Sequence, residues 1–156
     1  MGRTIPSFRI ASILEEKTWK EYRKFLNIND RKVFDNLFKV ATLYNSASSY
    51  AAIPIRIQPI MMSIVFHHYK NLKEKNNKIF ESDQIVSSNN SEILKKELAK
   101  WKIYSDILRK PNRDLFNEML LSANKYSESI DAKGKDFVTE SLLMSLLFEQ
   151  YKKLLQ

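Results

Sequence analysis

The chain has 156 residues, 44% of them hydrophobic and 12% aromatic, so it is long enough and apolar enough to bury one sizeable core. Two glycines and four prolines are few, which favours long helices over a sandwich or barrel, and the absence of cysteine excludes disulfides and thiolate metal sites. The net charge of +8 favours binding to polyanions such as nucleic acid, although interspersed acidic residues make a solvated helix surface an equally good explanation.

The first nine residues form a basic arm that leads into a predicted helix. Arg3 and Arg9 supply its charge, and Pro6 favours an extended or helix-starting backbone. Apolar residues at helical spacing then predict one helix, helix A, over residues 10–26. The sequence has no signal peptide and no apolar run of membrane length, which predicts a cytoplasmic protein with no membrane partner.

Two further helices are predicted in the first half of the chain. Asn29 or Asp30 is expected to cap helix B, which runs to about residue 48. An apolar loop over residues 50–58 follows and lacks a strong helical period. Pro59 suits the first turn of a helix and is predicted to open helix C.

The second half of the chain repeats the first without a gap, so that position n of the first copy corresponds to position n + 82 of the second. Over residues 15–74 and 97–156, fifteen of the 60 pairs are identical, whereas unrelated sequences would give about 4. The repeat predicts three matching helices over about 92–109, 112–130 and 137–155. Aromatic residues retained in both copies are expected to form the core or the interface between copies. They are Trp19/Trp101, Tyr22/Tyr104, Phe34/Phe116, Tyr44/Tyr126, Phe66/Phe148 and Tyr69/Tyr151.

These observations predict an all-α fold of two homologous three-helix units. The basic arm and first unit cover residues 1–73, an Asn/Ser-rich polar linker covers 74–91, and the second unit covers 92–156. We expect the units to pack about a pseudo-twofold axis as a six-helix bundle, resembling a homodimer fused into one chain. A tandem array without rotation is the alternative, and the chain is expected to be a monomer with this internal symmetry or a homo-oligomer.

The sequence contains no set of residues typical of an enzyme. His67 and His68 are adjacent, so on a helix they point in different directions and do not suit a shared metal ion. Glycine-rich phosphate loops, nucleophile elbows and H-E-x-x-H motifs are absent from the sequence. We therefore predict a non-catalytic protein with no catalytic residue, metal or cofactor. Ser63 and Ser145, within the apolar run of helix C, are expected to permit close helix approach.

The net positive charge is uneven along the chain, since residues 1–90 carry +6 and residues 91–156 carry +2. An arginine-containing arm beside a basic helix can follow a phosphate backbone, which predicts a partner that is nucleic acid or a nucleoprotein assembly. The predicted contact residues are Arg3, Arg9, Lys17, Lys20, Arg23, Lys24, Arg31 and Lys32. No helix-turn-helix, zinc-finger or RRM signature accompanies them, so no sequence preference is predicted.

Two alternatives to phosphate contact are also predicted. Arg31 and its counterpart Arg113 are retained in both copies, as are Glu15 and Glu97, so each arginine is expected to form a salt bridge with the glutamate of its own copy. The competing function is a protein–protein adaptor that docks a protein partner on the apolar loop. Its predicted contact residues are Tyr50, Ile53, Ile55 and Ile57.

The sequence up to about position 72 resembles a group of archaeal proteins that form a domain of unknown function and open with MGRT-x-P-(S/T)-(F/Y)-R. The matching residues are 1–4, 6–9, Glu15, Glu16, Trp19, Tyr22, Arg23, 34–38 and 59–63. The resemblance implies an archaeal, cytoplasmic source and a small helical fold. It implies no established activity, so no functional residues carry over. The second copy lacks the lead-in and has Asn117 where Asp35 stands.

Overall fold

The computed structural model describes residues 7–75 and 91–155, and this part of the chain is helical, with no β-strand. The first half contains α1 Phe8–Thr18, α2 Lys20–Lys24, α3 Ile28–Ala41, α4 Asn45–Ala51 and α5 Ile57–Lys75. The second half contains α6 Glu92–Ile107, α7 Lys110–Ser122, α8 Ser127–Lys133 and α9 Val138–Leu154. Short 3-10 turns occupy Thr42–Tyr44, Ala123–Tyr126 and Lys135–Phe137. The all-α prediction is confirmed, and most of the predicted linker lies outside the described residues.

Helix A of the first half is broken, and the prediction of one continuous helix over 10–26 is wrong. The Thr18 hydroxyl donates to the Glu15 carbonyl at 2.7 Å, and the Trp19 amide donates to Glu16, three residues back, at 3.1 Å. Side-chain competition for a backbone carbonyl and a tightened last turn both end a helix. In the second half α6 is continuous, and the Ser91 hydroxyl caps it by accepting from the Leu94 amide at 3.0 Å.

Helix B begins earlier and ends earlier than the sequence predicts. Its N-cap is Asn27, whose side chain accepts from the Asp30 amide at 2.9 Å, so the prediction of Asn29 or Asp30 as the cap is wrong. The predicted run to residue 48 is interrupted at Tyr44, whose φ of −113° and ψ of 15° leave the helical region. Tyr126 has nearly the same backbone angles in the second half, −114° and 16°. Helix B is therefore divided at the same place in both halves.

Helix C begins at Ile57, two residues before the predicted start at Pro59. Proline remains compatible with this position because the first amides of a helix have no intrahelical partner. The chain reaches α5 by reversing at Ala52, which ends α4 with a left-handed φ of 50°. Gly134, the counterpart of Ala52 in the repeat, follows α8 with a positive φ of 95°. Both short helices are thus followed by a backbone turn of positive φ.

The main hydrophobic core lies between the two halves of the chain. Phe66 of α5 is completely buried, as are Trp101, Tyr104 and Phe116 of α6 and α7. A smaller cluster forms within the first half around Phe38, Ala41, Ile60 and Ile64. Among the described helices, none combines the length and apolar character needed to cross a bilayer.

The two halves do not bury their matching residues equally. Tyr104 of α6 is 0% exposed whereas Tyr22 is 55% exposed, and Met62 of α5 is 0% exposed whereas Met144 of α9 is 67% exposed. α4 packs along α6, but the corresponding pair, α8 and α1, has no comparable contact within the described residues. A twofold axis would bury equivalent residues equally. The predicted pseudo-twofold packing is therefore not confirmed, although the counterpart helices α5 and α9 do contact each other.

We expect Phe66→Ala to lower the free energy of unfolding by about 3–5 kcal/mol, because it leaves a cavity in the main core. Phe148→Ala is the matched control, since Phe148 is the counterpart of Phe66 but is 50% exposed. This control is expected to cost about 1 kcal/mol or less. Urea unfolding followed by far-UV circular dichroism at low protein concentration measures both values. Equal losses in the two variants would contradict the assignment of the core to the contact between halves.

Candidate anion-binding surface

Four of the cations predicted to contact nucleic acid are exposed on the first three helices and, like Lys39 of α3, have no ion pair among the described residues. Arg9 and Lys17 belong to α1, Lys20 begins α2, and Lys32 lies in the first turns of α3. All four were predicted to contact nucleic acid. Arg3, also predicted, lies outside the described residues. The four side chains can each bind a phosphate without giving up a protein partner.

Arg23 is held by an acidic residue of the neighbouring helix. Its Nε donates to Asp35 Oδ1 at 2.5 Å and its Nη2 donates to Asp35 Oδ2 at 2.6 Å, a bidentate pair that joins α2 to α3. The hydrogen bond from Arg23 lowers the pKa of Asp35, and the same bond raises the pKa of Arg23. In the second half a neutral pair replaces it, with Ser105 donating to Asn117 at 2.8 Å. The observed role of Arg23 is therefore to join α2 to α3, and not to bind phosphate.

Arg31 caps the end of α2, and the predicted salt bridge to Glu15 is wrong. Its Nε donates to the Leu26 carbonyl at 2.8 Å and its Nη2 to the Lys24 carbonyl at 2.6 Å. Because the last carbonyls of a helix lack intrahelical partners and carry partial negative charge, a guanidinium there is favourable. The role explains why this arginine is retained, and it makes Arg31 a poor phosphate ligand.

Arg113 has the same role in the second half. Its Nη2 donates to the Asp106 and Leu108 carbonyls at 2.7 and 3.2 Å, so the predicted salt bridge to Glu97 is also wrong. Glu97 is buried and instead accepts hydrogen bonds from Trp101 Nε1 at 3.0 Å and Thr139 Oγ1 at 2.5 Å.

Lys24 forms an exposed pair with Glu21 at 2.6 Å. Exposed ion pairs of this kind contribute little to stability, so a polyanion can displace Glu21 at small cost. Of the predicted cations in the described residues, Arg23 and Arg31 are engaged in structural contacts, Lys24 is loosely paired, and the other four are available.

The predicted adaptor loop is only partly exposed. Tyr50 and Ile55 are 62% and 55% exposed. Ile53 packs against the main core and Ile57 against the smaller cluster of the first half. Two of the four predicted partner-binding residues therefore have structural roles, because the turn after α4 directs their side chains inward.

His67 and His68 do not converge on a common ligand. His67 Nδ1 lies 3.3 Å from the Tyr44 hydroxyl, whereas His68 lines a different part of the surface, a groove between α5 and α9. At the position of His67 the second half has Glu149, which accepts from the Tyr126 hydroxyl at 2.5 Å. In residues 7–75 and 91–155, no three His, Cys, Asp or Glu side chains come together as metal ligands would.

Two grooves in the structure were not predicted from the sequence. The first, of about 460 Å³, separates the ends of α5 and α9 and is lined by apolar residues including Leu72, Leu147 and Tyr151. The second, of about 300 Å³, lies between α8 and α9. The only sequence feature that could have pointed to these grooves is the set of aromatic residues retained in both copies. The sequence analysis expects them to lie in the core or in the interface between copies. The structure leaves Tyr22, Phe148 and Tyr151 largely exposed.

Comparison with known protein families gives a match to a domain of unknown function. The family described as Domain of unknown function (DUF8156) matches residues 1–97, which include the whole first half described above. Neither the curated proteins nor the solved structures contain a match. The family match agrees with the resemblance to a domain of unknown function, while the archaeal source that the resemblance implies stays a prediction.

We expect the free energy of unfolding to fall between about pH 7 and pH 5 because of the two histidines. Desolvation lowers the pKa of both, assisted by Lys70 at His67 and by His67 at His68. Since the unfolded histidines, with pKa values near 6.5, take up protons first, acidification favours the unfolded state. The contribution of the two neutral histidines to the free energy of unfolding is fully present above about pH 6.5. It is lost as the pH falls from there through the lowered pKa values of the folded state.

The measurement is urea unfolding at several pH values for the wild type and for a His67→Gln, His68→Gln double variant. The double variant should show a flatter profile over this range. Asp35 and Glu149 also have lowered pKa values, but carboxylates take up protons below about pH 4.5. Their effect on the free energy of unfolding therefore falls in a separate pH range. An unchanged slope in the double variant would refute the assignment to these histidines.

Proposed function

The chain belongs to the DUF8156 family, and we propose that it is a non-catalytic helical binding protein that contacts nucleic acid or a nucleoprotein assembly. The observation that supports this most directly is the group of exposed cations without ion pairs, among the described residues, on α1, α2 and α3. Of this group we assign Arg9, Lys17, Lys20 and Lys32 to the proposed contact. Arg3, in the basic arm, is proposed to extend the same surface.

The proposed contact is with phosphates and not with base edges. Lysine and arginine side chains that bind phosphates release counterions, so they supply affinity that depends steeply on salt. Such contacts position a protein on nucleic acid but do not read its sequence. The greater positive charge of residues 1–90, +6 against +2 for the rest, supports the first half as the contacting part.

We also propose that the two halves are copies of one ancestral unit. Matching contacts support this, because Trp19 Nε1 donates to Glu15 at 3.4 Å and Trp101 Nε1 donates to Glu97 at 3.0 Å. The arginine caps at Arg31 and Arg113 also occupy corresponding positions of the repeat. The unequal burial of equivalent residues favours a head-to-tail stack of the copies over a twofold pair.

The test is fluorescence anisotropy of labelled single- and double-stranded DNA and RNA at several salt concentrations. We expect micromolar binding, with a log–log salt slope of about −3 to −4 if four phosphates are contacted. Reversing Arg9, Lys17 and Lys20 to Glu together should weaken binding by at least about tenfold, and Arg3→Glu tests the arm.

The matched control reverses Lys95, Lys102 and Lys135, three exposed lysines of the second half, and changes the net charge by the same amount. It should weaken binding much less, because a local surface and not the overall charge is proposed to bind. Equal losses in the two triple variants, or no binding at low salt, would overturn the proposal.

A protein–protein adaptor is the second candidate, and the exposure of Tyr50 and Ile55 favours it. Contiguous exposed apolar side chains often mark a protein contact, and this alternative requires Tyr50 and Ile55 to form one such patch. Under this alternative, binding to a partner would tolerate salt and would be lost in a Tyr50→Ser, Ile55→Ser double variant. Ile53 and Ile57 are left unchanged because their substitution would disturb the cores.

A further inference from the structure

The contact between the two halves is built from residues that occur in both copies. Met62 and Phe66 of α5 are completely buried, and Phe66 meets the Phe116 ring edge-on with centroids 5.1 Å apart. The Ser63 hydroxyl lies 2.7 Å from the Tyr104 hydroxyl. This interface joins α4 and α5 of the first half to α6, α7 and α9 of the second.

The face of α9 that corresponds to the buried face of α5 is exposed. Met144, Phe148 and Tyr151 of α9 are the counterparts of Met62, Phe66 and Tyr69, and they are 67%, 50% and 59% exposed. We call these three residues the α9 face. Large apolar side chains grouped on one helix face are typical of a surface that another chain covers.

A groove beside the α9 face corresponds to the position that α6 occupies on the first half. This groove, of about 300 Å³, is lined by residues that include Ser129, Ile130, Met144 and Ser145. Their counterparts in the first copy are Ala47, Ser48, Met62 and Ser63, all buried beneath the second half.

The helices of this chain that match α6 and α7 are α1, α2 and α3, and they present the required aromatic residues. We call Trp19, Tyr22 and Phe34 the aromatic trio. Trp19 and Tyr22 lie 5.9 Å apart and Tyr22 and Phe34 5.5 Å apart, measured between ring centroids. The buried set in the second half has separations of 6.0 and 4.9 Å. Tyr22 remains 55% exposed and open to a partner, whereas Trp19 and Phe34 are half-buried against the smaller cluster of the first half.

Charge complementarity supports the same pairing. Ala51 of α4 and Leu98 of α6 both pack against the core between the halves. Their counterparts are Lys133 and Glu16, which are exposed and of opposite charge. The two open surfaces thus carry residues of opposite charge at positions whose counterparts pack in the core, as electrostatic complementarity between partners favours.

We infer that this protein self-associates head to tail, with the α9 face of one molecule covered by the aromatic trio of a second copy. The contact repeats between molecules the interface that joins the two halves within one molecule. Because it joins two different surfaces, it leaves one of each unsatisfied and produces a ring or a fibre. The inference rests on the repeat and goes beyond nucleic-acid binding.

The two proposed surfaces are compatible with one another. Lys17, Lys20 and Lys32 have Ala99, Lys102 and Asp114 as counterparts, and these three residues stay exposed where the halves join. The lysines therefore remain accessible when the aromatic trio is covered.

The test is sedimentation velocity over a range of protein concentrations, without nucleic acid. The weight-average mass of the wild type should rise above the monomer mass of 18.4 kDa as concentration increases. Tyr22→Glu and Met144→Glu, each at an exposed position, should raise the dissociation constant by at least about tenfold. Tyr50→Glu, another exposed apolar position, is the control and should associate as the wild type does.

Mixing the two impaired variants gives the decisive result. Tyr22→Glu retains an intact α9 face and Met144→Glu retains an intact aromatic trio, so an equimolar mixture should form a 1:1 dimer. A twofold interface would not be restored in this way. A wild type that stays monomeric up to millimolar concentration, association that neither substitution weakens, or a mixture that stays monomeric would overturn the inference. Circular dichroism of each variant verifies that it is folded.

Discussion

The packing of Phe66 against Phe116, on which Tyr104 stacks, is the interaction on which the rest of the structure depends. These three rings are completely buried, and they bring α5 of the first half against α6 and α7 of the second. The hydroxyl of Tyr104 finds a partner in Ser63 inside this core, as a buried polar group requires. Without this contact the first half would keep only the small cluster around Phe38 and Ile60.

A head-to-tail contact between repeats has an unavoidable consequence. The surface that one copy uses to receive its neighbour is left open on the last copy, and the opposite surface is left open on the first. Solenoid proteins often replace the exposed residues of terminal repeats with polar ones. This chain keeps Tyr22, Phe148 and Tyr151 on its open surfaces, and that retention is the physical basis for inferring a second copy as the partner.

An assembly of this kind would affect how a polyanion is bound. Each molecule contributes a small number of cations, and a single set of four gives modest affinity. Repetition along a ring or fibre places successive sets on one partner, so later contacts form at high effective concentration. Under these two proposals, the lysines and the aromatic trio of the first half would have separate roles, one electrostatic and one apolar.

Some features of the structure could be predicted from the sequence better than others. The scarcity of glycine and proline was enough to indicate an all-helical chain, because few other folds tolerate it. The ends of helices were less predictable: Thr18 and Asn27 act through individual hydrogen bonds, which helical periodicity does not reveal. Arg31 was recognised as important from its retention, but its partner is a set of backbone carbonyls that no pattern of side chains discloses.

The amino-acid sequence by itself determined the helical class, and its residue order is also what predicts the correspondence of positions between the two halves. Only the tertiary structure decided which member of each pair is buried. Tyr22 and Tyr104 are the same residue in matching contexts, yet one is 55% exposed and the other 0%. The two tyrosines differ in exposure because different helices pack against them. Which helices do so depends on the packing of segments that are distant in the sequence.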